Sequence, residues 1–131
     1  MINYGRQFID DDDISAVIDT LKSDFLTQGS KVPEFEKAIS SEVNANFGIA
    51  VNSATSALHI ACLALDLKEG DIAWTSPNSF VASSNCVLYC GAKVDFVDIG
   101  KDTWNICPNK LREKLEYAKK NDTLPKVVIP V

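Results

Sequence analysis

Two short stretches of this 131-residue chain carry side chains from which a binding site could be built. Residues 52–58 read N-S-A-T-S-A-L, and residues 75–85 read T-S-P-N-S-F-V-A-S-S-N. In the first, the apolar run G-I-A-V (48–51) leads into small hydroxylated residues and then directly into a helical apolar pattern. A helix N-terminus offers unpaired N–H groups and the positive end of a dipole, which together favour an anion. Ala54 lets a ligand approach the backbone closely, and Ser53, Thr55 and Ser56 add hydroxyl donors. That is the chemistry of a phosphate-binding turn, although neither a Walker A loop nor a dinucleotide fingerprint is present. The same residues also make a good helix cap with no ligand at all, because Ser and Thr cap helices well. On these residues both readings stay open. In the second stretch Phe80 stands at the start of a helix, where its ring has a face to offer a flat ligand. An apolar aromatic there is equally well explained as core.

The elements that must position these residues follow from periodicity. Asp10 to Asp13 precede Ile14, Val17, Ile18, Leu21 and Phe25, a helical stripe with acids where the dipole favours them. The acid run reads as a solvated helix start rather than a metal site. L-T-Q-G-S (26–30) is a break, and Pro33 opens a second helix carrying Val32, Phe35, Ile39 and Val43 on one face. The run 48–51 is a strand candidate, followed by a helix with Ala57, Leu58, Ala61, Cys62 and Leu65 inward. I-A-W-T reads as a strand. A helix through Val81, Asn85, Cys86 and Tyr89 follows and ends near Gly91. K-V-D-F-V is a further strand, Pro108 opens a helix with Leu111, Leu115 and Ala118, and K-V-V-I-P-V is the final strand. Strands alternating with helices from Gly48 onward predict an α/β fold with a mainly parallel sheet and helices on its faces. In such sheets ligands bind beyond the carboxyl ends of the strands, where both stretches fall. The expected division is a helical segment over 1–47 and an α/β part over 48–131. A parallel strand at a terminus normally needs a following helix to cover it, so the chain is expected to be the N-terminal part of something longer.

Taken together and in order, N-S-A-T-S-A-L, T-S-P-N-S-F-V-A-S-S-N, L-T-Q-G (26–29), F-E (35–36), G-A-K-V-D-F-V-D-I (91–99) and P-K-V-V-I-P-V (125–131) resemble the PLP-dependent sugar aminotransferases of the DegT/DnrJ/StrS type. The resemblance covers essentially the whole chain. It implies part of the large domain of a fold-type I PLP-dependent transferase, truncated here, with pyridoxal 5'-phosphate as cofactor. Ala54 and Thr55 match the phosphate-contacting pair, where many members have Gly-Thr; Ala keeps the backbone donors and narrows the choice of φ. Phe80 matches the aromatic stacked on the pyridine ring. Tyr4 and the stretch Thr27, Gln28 and Gly29 resemble segments near the nucleotide-sugar. The Schiff-base lysine and the aspartate that pairs with the pyridine nitrogen belong to motifs beyond Val131, so no catalytic residue is expected within this chain, and no turnover by the chain alone. Lys93, Lys101 and Lys110 match no such motif. The implied reaction moves an amino group from an amino acid, with glutamate the expected donor, to a keto-sugar on a nucleotide, in a homodimer. Alternatives are a PLP-dependent sugar dehydratase of the same family, with His for the Schiff-base Lys, and a non-catalytic phospholigand-binding α/β module.

Composition narrows the partners. A net charge of −5 argues against nucleic acid, which is held mainly by Lys and Arg. No basic run suits a membrane surface, and no apolar run approaches the roughly 20 residues a membrane helix needs. The polar N-terminus does not read as a signal peptide, so a cytoplasmic location is expected. Cys62, Cys86, Cys90 and Cys107 read as free thiols, and the i, i+4 pair Cys86 and Cys90 reads as small buried hydrophobes rather than half a metal site. His59, the only histidine, reads as packed or at the surface.

Overall fold

A computed structural model describes residues 5–131. They fall into two compact units, Met1–Ala50 and Val51–Val131.

The first unit holds two helices. Helix α1 spans Asp11–Leu21. Its acid run is a capping box: Asp10 Oδ1 accepts from the N–H groups of Asp12 and Asp13, each at 3.1 Å, and Asp13 Oδ2 accepts from Asp10 N–H at 3.1 Å. These bonds satisfy N–H groups that a helix start otherwise leaves unpaired, which is why four consecutive acids sit comfortably there. Helix α2 spans Lys31–Glu42, with Pro33 inside its first turn, where a missing N–H costs nothing. The expected apolar stripes exist on both helices, but Ile14, Val17, Leu21, Val32, Phe35 and Val43 are exposed.

The expected strand over 48–51 is not formed. The segment belongs to no ladder among the described residues. Instead the Ala50 N–H donates to Glu36 Oε1 at 2.8 Å, so a side chain of α2 takes the place of a neighbouring strand. A strand exists only where a partner's backbone meets it, and none of the described residues supplies that partner.

The second unit is a three-stranded parallel sheet with helices on both faces. Its elements are α3 (Ala54–Ala64), β1 (Ile72–Thr75), α4 (Ala82–Tyr89), β2 (Lys93–Phe96), α5 (Pro108–Lys120) and β3 (Val127–Ile129). The strand order is β2-β1-β3, with Trp74 paired to Asp95 on one side and to Val128 on the other. Period-two alternation sorts the side chains. Ala73, Val94, Val127 and Ile129 pack with Leu58 and Cys62 of α3 and Cys86 and Val87 of α4. Trp74 and Val128 pack with Leu111, Leu115 and Ala118 of α5 on the opposite face. Burying a side chain such as Val87 contributes about 1.5–3 kcal/mol. Of the residues expected to face inward from α3, Cys62 is buried and Leu58 half-buried, but Ala57, Ala61 and Leu65 are exposed. Cys62 and Cys86 lie in the core, as small hydrophobes do, and burial pushes the Cys62 thiol up to about 11. His59 packs edge-on against Tyr89, ring centroids 5.3 Å apart.

Gly91 follows α4 with φ +74, a conformation other residues adopt at a cost, and so turns the chain into β2. At the amino end of the sheet, Lys126 reaches the Asp66 carbonyl and pairs with Asp71 at 3.0 Å, tying the start of β3 to the turn before β1.

Candidate functional site

The topology brings both sequence-predicted stretches to one edge. Helix α3 ends at Ala64 and leads through a short turn into the start of β1, so it runs antiparallel to β1 and its N-terminus lies toward the strand's carboxyl end. Helix α4 leaves that same end. Because β2 lies on one side of β1 and β3 on the other, the winding reverses at β1, the place where open α/β sheets take ligands.

Ser53 caps α3, its Oγ accepting from Ser56 N–H at 3.2 Å. The hydroxyl inventory differs from the expectation. Ser56 Oγ donates to Asn52 Oδ1 at 2.7 Å, and the Ser53 and Ser56 hydroxyls share a 3.0 Å bond. Both are thus committed to shaping the cap. Among the described residues, the N–H groups of Ala54 and Thr55 and the Thr55 hydroxyl have no protein acceptor. Those donors, at the positive end of an 11-residue helix, are what the turn can offer an anion. Asn52 was not singled out from sequence; its spacing of four from Ser56 across a helix start was the available signal.

Phe80 is 77 % exposed, so it is not core in this unit. Its backbone is fixed nonetheless: the Phe80 carbonyl accepts from Ser83 N–H at 3.0 Å and from Ser79 Oγ at 3.2 Å, while Ser79 and Ser83 share a 2.6 Å hydroxyl bond. An aromatic ring on a fixed backbone, open to solvent at the carboxyl edge, has a face free for a planar ligand.

Between the two stretches, at the end of β1, Thr75 Oγ1 donates to the Ile129 carbonyl at 2.9 Å and binds the carboxyl ends of β1 and β3 together. Ser76 follows, only 2 % exposed, and its Oγ has no partner among the described residues. A buried hydroxyl without a partner costs about 1–3 kcal/mol, which a polar ligand atom would recover. Sequence reasoning passed over Ser76, since a serine beside a proline looks like a turn residue. The free N–H pair, the Thr55 hydroxyl, the orphaned Ser76 hydroxyl and the open Phe80 ring fit a phosphorylated planar group.

Of the remaining candidates, Tyr4 lies outside the described residues. Gln28 and Gly29 line a cleft of about 140 Å³ in the first unit, with Asp19, Phe25 and Lys31 on its walls; Thr27 does not line it. Gln28 adopts φ +57, and a Cβ at Gly29 would strike the Phe25 carbonyl oxygen, so the turn requires glycine there. The cleft is smaller than the few hundred Å³ a drug-sized ligand occupies, so alone it holds only part of one. Lys110 pairs with Glu113 at 3.0 Å on α5. No group of three or more metal-ligating side chains occurs among the described residues, and no helix is long and apolar enough to cross a membrane.

Residues 7–131 match the DegT/DnrJ/EryC1/StrS aminotransferase family. The chain belongs to that family. Members similar to it include the UDP-4-amino-4,6-dideoxy-N-acetyl-beta-L-altrosamine transaminases of two Campylobacter jejuni strains. The first is 46 % identical over 88 % of this chain and 30 % of its own length. The second is 42 % identical over 92 % of this chain and 32 % of its own. Among solved structures, PseC of Helicobacter pylori, described as an aminotransferase involved in the biosynthesis of pseudoaminic acid, superposes with a TM-score of 0.85. It is 29 % identical and covers 98 % of this chain and 33 % of its own. NtdA of Bacillus subtilis, solved with bound cofactor PMP, gives a TM-score of 0.77 at 31 % identity, covering 93 % of this chain and 28 % of its own. This chain thus spans about a third of the length of the aminotransferases it matches. Its α/β sheet corresponds to a part of theirs.

Proposed function

We propose that the protein containing this chain is a PLP-dependent aminotransferase acting on a nucleotide-linked keto-sugar, and that residues 48–131 begin its cofactor-binding large domain, with 1–47 a helical segment before it. The observation that carries this reading is the pair of unclaimed N–H groups of Ala54 and Thr55 at the head of α3, on the same sheet edge as the exposed ring of Phe80. In it, Ala54, Thr55 and the Thr55 hydroxyl hold the cofactor phosphate, the α3 dipole lowers the cost of its charge, and Ser76 donates its free hydroxyl into the same edge. Phe80 fixes the plane of the pyridine ring by covering one face. PLP, when bound, supplies the electron sink for moving an amino group. No lysine of this chain is assigned to the covalent chemistry; that residue, and the aspartate facing the pyridine nitrogen, are expected in the remaining two thirds of the protein.

The substrate reading rests on the transaminases at 42–46 % identity. Their name supports a UDP-linked 6-deoxy sugar aminated at C4; the amino donor is proposed to be an amino acid such as glutamate. Gln28 and Gly29 are proposed to contact part of the nucleotide-sugar, in a cytoplasmic homodimer.

The test is a titration of the full-length protein with PLP. Binding is expected to produce a visible absorption band, and a nucleotide-linked keto-sugar plus glutamate is expected to yield the amino sugar. Failure to bind PLP would refute the reading.

A further inference from the structure

A further contact at the carboxyl edge joins the loop after β1 to the loop after β2. Trp104 is 64 % exposed in the loop after β2, with φ +62, a left-handed backbone that a bulky aromatic residue rarely adopts. The loop around it is closed by its own bonds. Trp104 N–H donates to the Gly100 carbonyl at 2.9 Å, Gly100 N–H to the Asn105 carbonyl at 2.9 Å, and Cys107 N–H to the Asp98 carbonyl at 2.9 Å. An antiparallel bridge joins Ile99 to Ile106, and Ile106 N–H reaches the Val131 carbonyl at 2.7 Å. No described backbone N–H claims the carbonyl of Trp104. It accepts from Asn78 Nδ2 at 3.1 Å. Asn78 lies two residues before Phe80, in the loop that leaves β1.

We propose that Asn78 is a positioning residue: its bond to the Trp104 carbonyl latches the loop carrying Phe80 onto the stiff loop after β2 and so sets where the Phe80 ring stands. The inference rests on the proposed cofactor role of Phe80. Within the Phe80 loop, the Ser79 and Ser83 bonds fix the backbone locally and reach no further than α4. Among the described residues, the Asn78 side chain alone hydrogen-bonds that segment to a different loop, 26 residues on. The bond requires a donor at Asn78, because a carbonyl can only accept. Asp at this position keeps the shape and removes the donor; Ala removes both. The left-handed turn at Trp104 is the structural counterpart, a strained conformation kept where it serves an aim.

The experiment uses the full-length protein, with Asn78→Asp, Asn78→Ala, Phe80→Ala and the double variant N78D/F80A. Hydrogen exchange without cofactor reads the latch itself. Faster exchange of the 79–81 amides in both Asn78 variants, with the rest of the protein unchanged, is expected. PLP affinity and the visible circular dichroism of bound PLP, which reports the asymmetry around the ring, read its purpose. Both Asn78 variants are expected to bind PLP roughly threefold to tenfold more weakly, the effect of one neutral hydrogen bond, and to lose much of the visible signal. In the double variant N78D should add less than about twofold to the effect of F80A, since Asn78 acts through Phe80. Unchanged exchange, or wild-type PLP affinity and dichroism in the Asn78 variants, would overturn the positioning role while leaving the aminotransferase reading intact. Independent, multiplying effects of the two substitutions would overturn it as well. Absence of PLP binding by the wild-type protein would instead sink the proposed function, and the positioning role with it.

Discussion

At the scale of single residues, the turn before α3 divides its polar groups by task. Asn52, Ser53 and Ser56 bond to one another and to the backbone, whereas the N–H groups of Ala54 and Thr55 and the Thr55 hydroxyl find no acceptor among the described residues. The two groups should respond differently to substitution. Thr55→Val keeps the shape and removes the hydroxyl, so PLP affinity of the full-length protein should fall roughly tenfold or more, the worth of a hydrogen bond to a charged oxygen. Ser53→Ala removes the oxygen that accepts from Ser56 N–H and so loosens the cap, costing about 0.5–2 kcal/mol of stability. Fluorescence titration with PLP and denaturant melts of the two variants separate these effects; equal loss of affinity in both would contradict the division of roles. The hydroxyl types could be counted in the sequence, but their division could not, because a hydroxyl's partner depends on where the neighbouring turn places it.

At the scale of elements, α5 and the sheet are joined through Lys114. Its ammonium lies 2.6 Å from Asp95 of β2, donates to the Phe96 carbonyl at 2.7 Å and sits 4.7 Å from the centre of the Trp74 ring. The ammonium holds the Asp95 carboxyl below the usual carboxylate range. A carboxylate with a depressed folded pKa contributes stability above its unfolded value, near 4, and loses it as pH falls through the folded value. Lys114→Met should therefore cost about 1–2 kcal/mol at neutral pH, most of the ring contact plus an exposed ion pair. It should also flatten the loss of stability below about pH 4. Thermal melts of both proteins from pH 7 to pH 3 check this; parallel curves would show that the pair contributes nothing. Strands β1, β2 and β3 and helices α4 and α5 were readable within a residue or two, because their apolar periods are strong and Gly91 and Pro108 punctuate them. The strand over 48–51 was misread for the converse reason: an apolar run carries no information about whether a partner strand exists.

At the scale of the whole molecule, the described residues leave many large apolar side chains exposed. The stripes of α1 and α2, with Phe8, Phe25 and Phe47, face solvent. Outer edges differ too: β2 carries the charges of Lys93 and Asp95, which discourage edge pairing, while β3 is the uncharged run Val127, Val128 and Ile129. A polypeptide of residues 1–131 expressed alone is expected to bind the dye ANS, to self-associate and to show no transaminase turnover. The full-length protein should bind far less dye. A sharp cooperative melt of the monomeric polypeptide without dye binding, or measurable turnover by it, would contradict this.

The amino-acid sequence by itself determined the alternation of strand and helix, the two small-residue turns, the family, and the chemistry those turns can perform, since all of these are written in local residue types and their spacing. Tertiary structure alone decided the strand order β2-β1-β3, which puts both turns at one edge where the winding reverses. It also decided that Phe80 stands clear of the core, that Ser76 is buried without a partner among the described residues, and that Asn78 reaches Trp104. Each of these joins residues far apart in the chain, and such pairings are set by how whole elements pack, which no local pattern encodes.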